Sequence, residues 1–300
     1  LTTMSKGRPF GFLDHNLRSG DSLLGIHDLD QLIELDMNPK GKAQLQLFGR
    51  TIESAINNAL DLRTRLQDIP IRDIKDVEQM AALDSEANKS IFKTRLVGDV
   101  LTAVYVRSGG SNPGSALLSV VGSFADDLAS KEVIDRKGAA EIIAPALRQA
   151  LTDSIHIRPF HWPIEYPEIF RRDRGGFDCI IGNPPYAFGE YRPNVPRNLF
   201  SSIKGQWDLC WIFIERATQI LRRENASLGY VLPDSILARE EPRTVRKIAE
   251  SAFVSLAIRH VGSAFQAGVS VFSLVAFRAP FEPSRLTYIS SETDSTEIPL

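Results

Sequence analysis

Residues 177–186 read Phe-Asp-Cys-Ile-Ile-Gly-Asn-Pro-Pro-Tyr, an apolar run that stops at the proline-containing tetrad Asn183–Tyr186. A short apolar run that ends at turn residues predicts a buried β-strand, here over 177–182. Proline cannot donate a hydrogen bond to a sheet, so Pro184 and Pro185 end that strand. The tetrad is therefore expected at the carboxyl end of a strand.

Strands and helices alternate after residue 158. The sequence predicts a helix over 208–222, a strand over 229–232, a helix over about 240–251 and an antiparallel pair of strands over 254–261 and 270–278. This order implies an α/β fold whose open, mostly parallel sheet carries an antiparallel edge hairpin. Ligands of such sheets bind outside the carboxyl ends of the strands, where Asn183 and Asp234 are both expected.

The first half of the chain has a different pattern of apolar residues. Residues 8–25 predict a short strand that runs into a Gly-Asp-Ser turn at Gly20–Ser22. From about 28 to 103 apolar residues recur at spacings of three and four, which predicts helices, and helices are expected again over 116–152. Residues 107–115 contain three glycines but lack a Gly-Lys-Ser/Thr ending, so they are interpreted as a linker rather than a phosphate loop.

Composition indicates a globular protein of 300 residues with a net charge of −2 and only two cysteines. Cys179 and Cys210 lie in apolar runs and are expected to be reduced core residues of a cytoplasmic protein. We find no apolar stretch that could span a membrane, no signal peptide and no residue spacing that indicates a metal site. Residues 171–223 hold nine Lys or Arg against five Asp or Glu, an excess that suits a phosphate backbone or a solvated surface.

The tetrad suits one kind of chemistry, the methylation of a planar amino group. Asn183 offers a side-chain carbonyl and Pro184 a main-chain carbonyl, and Pro185 restricts Pro184 to an extended conformation. Two such fixed acceptors can hold the two N–H bonds of an amine without reorganisation. Tyr186 adds a flat face on which an extruded base can stack. The simpler interpretation is a Pro-Pro turn that caps a strand.

These residues resemble the N6-adenine DNA methyltransferases, in particular the subgroup found in type IIG restriction–modification enzymes and BREX-type phage-defence methyltransferases. Residues 177–186 match the catalytic motif, 160–170 match the preceding segment of that subgroup, and 13–25 match the segment whose acidic residue contacts S-adenosylmethionine. The resemblance implies a Rossmann-like, S-adenosylmethionine-dependent methyltransferase sheet. It also implies a catalytic role for Asn183, Pro184, Pro185 and Tyr186, base stacking by Tyr186 and Phe265, and cofactor contacts by Asp21 and Asn183.

On this resemblance the chain is expected to comprise part of the methyltransferase core (1–27), the helical insertion (28–158), the catalytic half of the core (159–280) and the start of a linker or following domain (281–300). The family's Gly-rich cofactor loop and target-recognition domain have no counterpart in the sequence, so a fragment of a longer protein is expected. Double-stranded DNA is the implied partner, with a fused or associated nuclease. Two alternatives stay open: a catalytically silent DNA-binding or assembly module, and methylation of a glutamine amide or RNA base.

Three further groups have competing interpretations. Asp21 could cap the helix that follows it. Phe160, Trp162 and Tyr166 could stack on DNA or pack against the helical insertion. Asp234 with Glu240 and Glu241 could suggest a nuclease centre, but acidic residues are common at helix starts and no nearby lysine completes the set.

Overall fold

The computed structural model describes residues 15–39, 47–171, 175–187, 195, 199–262 and 270–278, and gives the backbone alone for 47–48, 285–289 and 295–299. The chain divides into two compact units, Leu1–Arg171 and Arg172–Leu300. The four segments expected from the sequence stay a prediction. Within the described residues, no helix combines the length and apolarity needed to cross a bilayer.

The unit Leu1–Arg171 is helical in its described part. Its helices are α1 (Leu29–Ile33), α2 (Leu47–Gln67), α3 (Ile74–Arg107), α4 (Ser115–Ser130), α5 (Arg136–Ile142), a 3-10 turn (Pro145–Leu147), α6 (Arg148–Ile157), α7 (Trp162–Glu165) and α8 (Pro167–Phe170).

Helix α3 is the centre of this unit. Asp73 begins it by accepting hydrogen bonds from the amides of Lys75 and Asp76, which satisfies two of the amides that lack a partner within the helix. Its residues 96–105 are buried without a break, and α2, α4 and α6 pack against it. A helix that is buried all round belongs to a core, so α3 carries more than the single apolar face that its spacing predicts.

The segment 8–25, predicted to be a short strand and a turn, is described from residue 15. There it forms turns with one isolated bridge, from Asp21 to Pro159. The backbone continues alongside this bridge, because the Phe160 amide donates to the Leu24 carbonyl and the Trp162 amide to the Ile26 carbonyl. These backbone hydrogen bonds hold residues 20–26 against residues 158–162.

The unit Arg172–Leu300 is α/β in its described part. Its elements are β1 (Cys179–Gly182), α9 (Leu209–Ile220), β2 (Ser227–Pro233), α10 (Ser235–Ala238), α11 (Arg243–Ala252), β3 (Ser255–Gly262), β4 (Val271–Phe277), β5 (Arg285–Ile289) and β6 (Ser295–Pro299).

The six strands form one sheet in the order β1-β2-β4-β3-β5-β6. The pairs β1–β2 and β3–β5 are parallel, and the pairs β2–β4, β3–β4 and β5–β6 are antiparallel. The predicted α/β fold and the antiparallel hairpin β3–β4 are confirmed. The described sheet is mixed rather than mostly parallel, and the hairpin lies inside it because β2 and β5 flank it.

Strand β1 differs from the buried strand that was predicted. It lies at the edge of the described sheet, Cys179 is exposed, and Ile181 is 84% exposed. The expectation that both cysteines lie in the core is therefore correct for Cys210 and wrong for Cys179. An apolar run does not reveal how many strands flank it, which is why the sequence pattern misplaced Cys179.

Arg278, which follows β4, fixes the end of α9. Its guanidinium donates to the carbonyl oxygens of Thr218, Leu221 and Arg222 at 2.7 to 2.9 Å. Carbonyls in the last turn of a helix have no partner within the helix, so this arginine satisfies them from the sheet. The helix that precedes β2 is thereby tied to β4.

Candidate active site

The tetrad lies where the sequence predicts, directly after β1. The parallel pairing of β1 with β2 brings the carboxyl ends of both strands to the same edge of the sheet, with Gly182 opposite Tyr230. Asn183 is exposed, Pro184 is buried and Pro185 is exposed. The buried proline anchors the turn, and the asparagine amide faces outward.

Tyr186 turns back onto both the tetrad and β2. Its hydroxyl lies 3.0 Å from the Asn183 side-chain oxygen and 2.9 Å from the Val231 carbonyl oxygen. A phenol has one proton, so these two acceptors compete for a single hydrogen bond. The phenol therefore connects the orientation of the Asn183 amide to the end of β2.

Burial raises the pKa of Tyr186, and the nearby Cys210 and Asp208 raise it further. The ring consequently stays a neutral phenol at physiological pH. It can donate its proton to an oxygen acceptor, and it presents an uncharged face.

Asp208 anchors the residue that follows the tetrad. One of its carboxylate oxygens accepts from the Ala187 amide at 3.3 Å and from the Cys210 amide at 3.0 Å. The Leu209 amide in turn donates to the Ala187 carbonyl at 2.8 Å. The start of α9 thus fixes the exit from the tetrad. The sequence carried a signal for this role, an aspartate directly before an apolar helical run, but the sequence analysis assigned it none.

A second polar cluster lies at the same edge of the sheet, after β2. The Ser270 hydroxyl donates to an Asp234 carboxylate oxygen at 2.5 Å, and a ring nitrogen of His260 lies 2.8 Å from the same oxygen. The Asp234 amide also donates to the Ser270 carbonyl at 3.0 Å. These contacts join β2 to the hairpin β3–β4, so the described contacts of Asp234 are those of a residue that holds the sheet edge together.

The other two predicted site residues are Asp21 and Phe265. Asp21 belongs to the unit Leu1–Arg171, whereas the tetrad belongs to the unit Arg172–Leu300. Asp21 does not cap α1, because Asp28 does so. The Asp21 carboxylate instead accepts a hydrogen bond from the Leu23 amide at 3.1 Å within the turn. Phe265 lies outside the described residues. The roles predicted for Asp21 and Phe265 stay predictions.

The aromatic residues of the segment 160–170 pack together inside the helical unit. The Phe160 and Trp162 rings meet edge to face with centroids 4.7 Å apart, and Tyr166 lies against both. The Trp162 indole donates to the Ser22 carbonyl, and the Tyr166 hydroxyl donates to the Asn16 carbonyl. Of the two interpretations of these aromatics, packing agrees with the observed contacts.

His161 is fully buried beneath these rings. Its Nδ1 accepts from the Ile26 amide at 3.0 Å, so its Nε2 carries the proton that faces Asp99 at 3.1 Å. A Cβ at Gly98 would lie 2.9 Å from the His161 ring, so α3 needs a glycine there. Across the described residues, no group of three or more His, Cys, Asp or Glu side chains could hold a metal ion.

The tetrad Asn183–Tyr186 is a polar turn at the carboxyl end of a sheet strand. This position is the edge at which α/β sheets bind ligands. The model of the Eco57I restriction-modification methylase family matches residues 46–264, which span both units. The chain belongs to this family, which confirms the class of protein that the sequence resembles.

Two curated proteins share part of the sequence. The type II restriction enzyme and methyltransferase RM.Eco57I of Escherichia coli is 36% identical over 87 residues, which cover 26% of this chain and 9% of that protein. RM.MjaORFECS2P of Methanocaldococcus jannaschii is 33% identical over 79 residues, which cover 26% of this chain and 6% of that protein. The matches thus span less than a tenth of either relative.

Two solved structures show a more distant likeness. The methyltransferase subunit of a type I restriction-modification system from Streptococcus thermophilus aligns with a TM-score of 0.31 and 13% identity over 84% of this chain and 71% of that one. A nuclease-deletion mutant of the type ISP restriction-modification enzyme LlaGI aligns with a TM-score of 0.36 and 12% identity over 90% of this chain and 38% of that one.

Proposed function

We propose that this chain supplies the catalytic turn of a DNA methyltransferase that transfers a methyl group from S-adenosylmethionine to N6 of an adenine in double-stranded DNA. The observation that carries the proposal is the exposed Asn183 at the carboxyl end of β1, with its side-chain oxygen 3.0 Å from the Tyr186 hydroxyl. Membership of a restriction-modification methylase family supports the reaction class.

Asn183 and Pro184 would hold the adenine amino group. The Asn183 oxygen has two lone pairs, so it can accept an amine proton while it stays close to Tyr186. The Pro184 carbonyl is the second acceptor, and burial of the proline ring fixes its position. Two acceptors on the two N–H bonds draw the nitrogen out of the ring plane, which frees its lone pair for attack.

Tyr186 would stack on the extruded base, with Phe265 on the other face. Stacking of a base on an aromatic side chain contributes about 1–3 kcal/mol, and unstacking a base from the duplex costs a few kcal/mol. The neutral state of the Tyr186 phenol suits an uncharged base. Stacking on two rings would therefore offset much of the cost of extrusion.

S-adenosylmethionine, when bound, supplies an electrophilic methyl group on a positively charged sulfur. Asp21 suits the adenine end of this cofactor, because a carboxylate can accept a hydrogen bond from an exocyclic amino group. In the described residues no Gly-rich loop follows a strand, so the groups that would hold the methionine end are not assigned.

The methyl transfer depends more on the alignment of the N6 nitrogen with the methyl group than on a strong base. The N6 lone pair would form the new N–C bond while the sulfonium left as a neutral thioether with both electrons of the C–S bond, and the nitrogen would then release one proton to solvent. Asn183 and Pro184 accept hydrogen bonds from N6 throughout, so they stabilise the positive charge that develops on the nitrogen.

DNA would be the partner, with a target-recognition domain and a nuclease supplied by other parts of the system. The basic excess over residues 171–223 supports a path for the phosphate backbone beside the tetrad. The proposal is tested against two alternatives. One is a catalytically silent assembly module, and the other is methylation of a glutamine amide or an RNA base.

The test is transfer of a tritiated methyl group to DNA, RNA and protein by the natural protein that contains this chain. We expect label on DNA adenine, and a loss of at least about 10²-fold in Asn183→Ala, because removal of one preorganised hydrogen-bonding group has an effect of that size. Asn38→Ala, which removes another exposed asparagine amide, is the control and should keep its activity.

Wild-type rates in Asn183→Ala would remove Asn183 from the mechanism. Label on RNA or on glutamine would show that the substrate is an RNA base or a protein amide instead of DNA adenine. Absence of both methyl transfer and calorimetric S-adenosylmethionine binding in the natural protein would favour the assembly module.

A further inference from the structure

A cationic cavity of about 520 Å³ lies in the helical unit, well away in sequence from the tetrad. The loop Leu17–Ser19, helix α3 and the end of α6 line it. Its walls bring together four arginines, which are Arg18, Arg95, Arg136 and Arg158. Like charges gathered in this way repel one another unless carboxylates or a bound anion compensate them.

Three of the four guanidiniums have carboxylate partners. Arg95 donates to both oxygens of Glu165 at 2.6 and 3.2 Å, and Arg136 pairs with Asp99. Arg18 donates to Asp84 at 2.9 Å. These carboxylate oxygens are already engaged, so within the described residues the cavity has more guanidinium donors than acceptors.

Arg158 is the fourth cation and differs from the others. Its guanidinium donates to the Ser19 hydroxyl at 3.2 Å, and none of the ion pairs among the described residues includes it. Arg158 is exposed at the mouth of the cavity. It can therefore turn toward a solute without breaking an ion pair among the described residues.

The backbone at Arg158 is left-handed, with φ 50° and ψ 57°, at the C-terminal end of α6. Glycine is the usual residue in this conformation, because a side chain there is strained. The conformation is fixed from two sides: the Asp21 amide donates to the Arg158 carbonyl, and the Arg158 amide donates to the Ser154 carbonyl. Strained backbone conformations cluster at functional sites and ligand clamps, which is consistent with a ligand-binding role for Arg158.

Arg18 also has a donor that is available to a ligand. Its side chain is only 14% exposed, and its Nε is buried without a hydrogen-bond partner among the described residues, since the nearest Glu165 oxygen is 3.9 Å away. A buried N–H without an acceptor is costly, so an acceptor supplied by a ligand would stabilise it.

We propose that this cavity binds a phosphate group of the DNA backbone. Guanidiniums present planar N–H forks that match phosphate oxygens. Four arginines set against Asp84, Asp99 and Glu165 leave one positive charge, which equals the single negative charge of a phosphodiester. The exposed Leu17 (70%) and Ile155 (54%) at the rim offer apolar surface to the flanking sugars.

The choice of DNA as the source of the phosphate rests on the proposed function, whereas the anion site itself does not. The test uses the natural protein and measures the salt dependence of duplex binding by fluorescence anisotropy. Arg158→Gly removes the side chain and leaves the residue best suited to the left-handed backbone, so it should fold. Arg65→Gln removes one exposed cation from α2 and is the matched control.

We expect Arg158→Gly to weaken binding several-fold at low salt, equally for all sequences, and to lower the magnitude of the slope of log K against log salt by about 1. Arg158→Lys should keep most of the slope, because it keeps the charge. Arg65→Gln should change neither quantity.

Inorganic phosphate is the second probe. It should raise the melting temperature of the wild type more than that of Arg158→Gly, and should compete with the duplex. Stabilisation by phosphate without any effect of Arg158→Gly on DNA binding would overturn the assignment to DNA. The absence of both effects would overturn the site. The two proposals can be tested separately with Asn183→Ala. If this variant loses methylation but keeps the wild-type salt dependence of DNA binding, the catalytic role of Asn183 and the phosphate site are independent.

Discussion

The Tyr186 hydroxyl has one proton and two oxygen neighbours, the Asn183 side chain and the Val231 carbonyl. Because the proton can serve only one acceptor at a time, the phenol influences which way the Asn183 amide faces. Under the proposed function, the ring and the hydroxyl of Tyr186 would have separate tasks: the ring would stack on the base, and the hydroxyl would orient Asn183. Two substitutions separate them.

Tyr186→Phe keeps the ring and removes the hydroxyl. We expect methyl transfer to slow about 2- to 10-fold, the loss that corresponds to one hydrogen bond of about 0.5–1.5 kcal/mol. Tyr186→Ala also removes the stacking surface and should lower the rate by at least a further 5-fold, from about 1–3 kcal/mol. Single-turnover rates and the fluorescence of 2-aminopurine at the target base measure the two effects. Equal losses in both variants would contradict a stacking role.

Individual residues show where sequence reasoning stops. The position of Asn183 and Pro184 after a strand could be predicted, because two successive prolines remove two hydrogen-bond donors that a paired strand needs. The contact of Tyr186 with Val231 could not, because it depends on β2 lying beside β1, 45 residues away. The exposure of Cys179 was misjudged for the same reason, since burial depends on strands that are distant in sequence.

At the scale of elements, the start of α9 fixes the exit from the tetrad through Asp208. We expect Asp208→Ala to lower the free energy of unfolding by about 1 kcal/mol, as loss of an N-cap does, and also to slow methyl transfer, because the Ala187 amide loses its acceptor. Asp73→Ala removes the equivalent cap of α3 and is the control. Urea unfolding and methyl-transfer rates are measured on both variants. The same fall in rate in both would show that Asp208 acts through stability alone.

Helix α3 and His161 meet too closely for any side chain at residue 98. A Cβ there would lie 2.9 Å from the imidazole ring, which Ile26 and Asp99 hold in place. We expect Gly98→Ala to destabilise the protein by about 1–3 kcal/mol, the range for overpacking in a core.

Gly122→Ala in α4 is the matched control, because its Cβ would meet only the end of the Leu35 side chain, at 3.3 Å. The gain in helix propensity should make this variant neutral or slightly more stable. Urea unfolding compares the two variants. Equal stability would mean that His161 moves easily.

Elements were predicted better than their arrangement. The strand at 177–182, the helix at 208–222 and the hairpin strands all have counterparts, because their apolar periodicity is local. Strands β5 and β6 were missed, so the hairpin was assigned to the edge of the sheet. The backbone pairing of residues 20–26 with residues 158–162 was also missed, since its partners are more than 130 residues apart.

At the scale of the molecule, stability should depend on pH through His15. Burial lowers the pKa of His15 below its ordinary value of 6.5, although Asp84 and Glu168 raise it in part. The unfolded chain therefore binds a proton near pH 6.5 that the folded protein takes up only at lower pH. The contribution of His15 is complete above that pH and is lost as the pH falls below 6.5.

We expect His15→Gln to reduce the loss of unfolding free energy between pH 7.5 and pH 5.5. Urea unfolding at the two pH values measures this difference. His156→Gln, which replaces an exposed histidine, is measured alongside as the comparison variant. An unchanged pH dependence in His15→Gln would show that other groups cause the loss at acid pH.

Strand β1 has one further consequence, for work with the isolated chain. Its outer N–H and C=O groups line the free border of the described sheet, and the aliphatic side chain of Ile181 stands open to water beside them. Unprotected borders of this kind recruit strands from other molecules and seed aggregation. Preparations of the isolated chain should therefore precipitate with rising concentration, and strand β1, next to the Asn183–Tyr186 turn, is where that aggregation should begin.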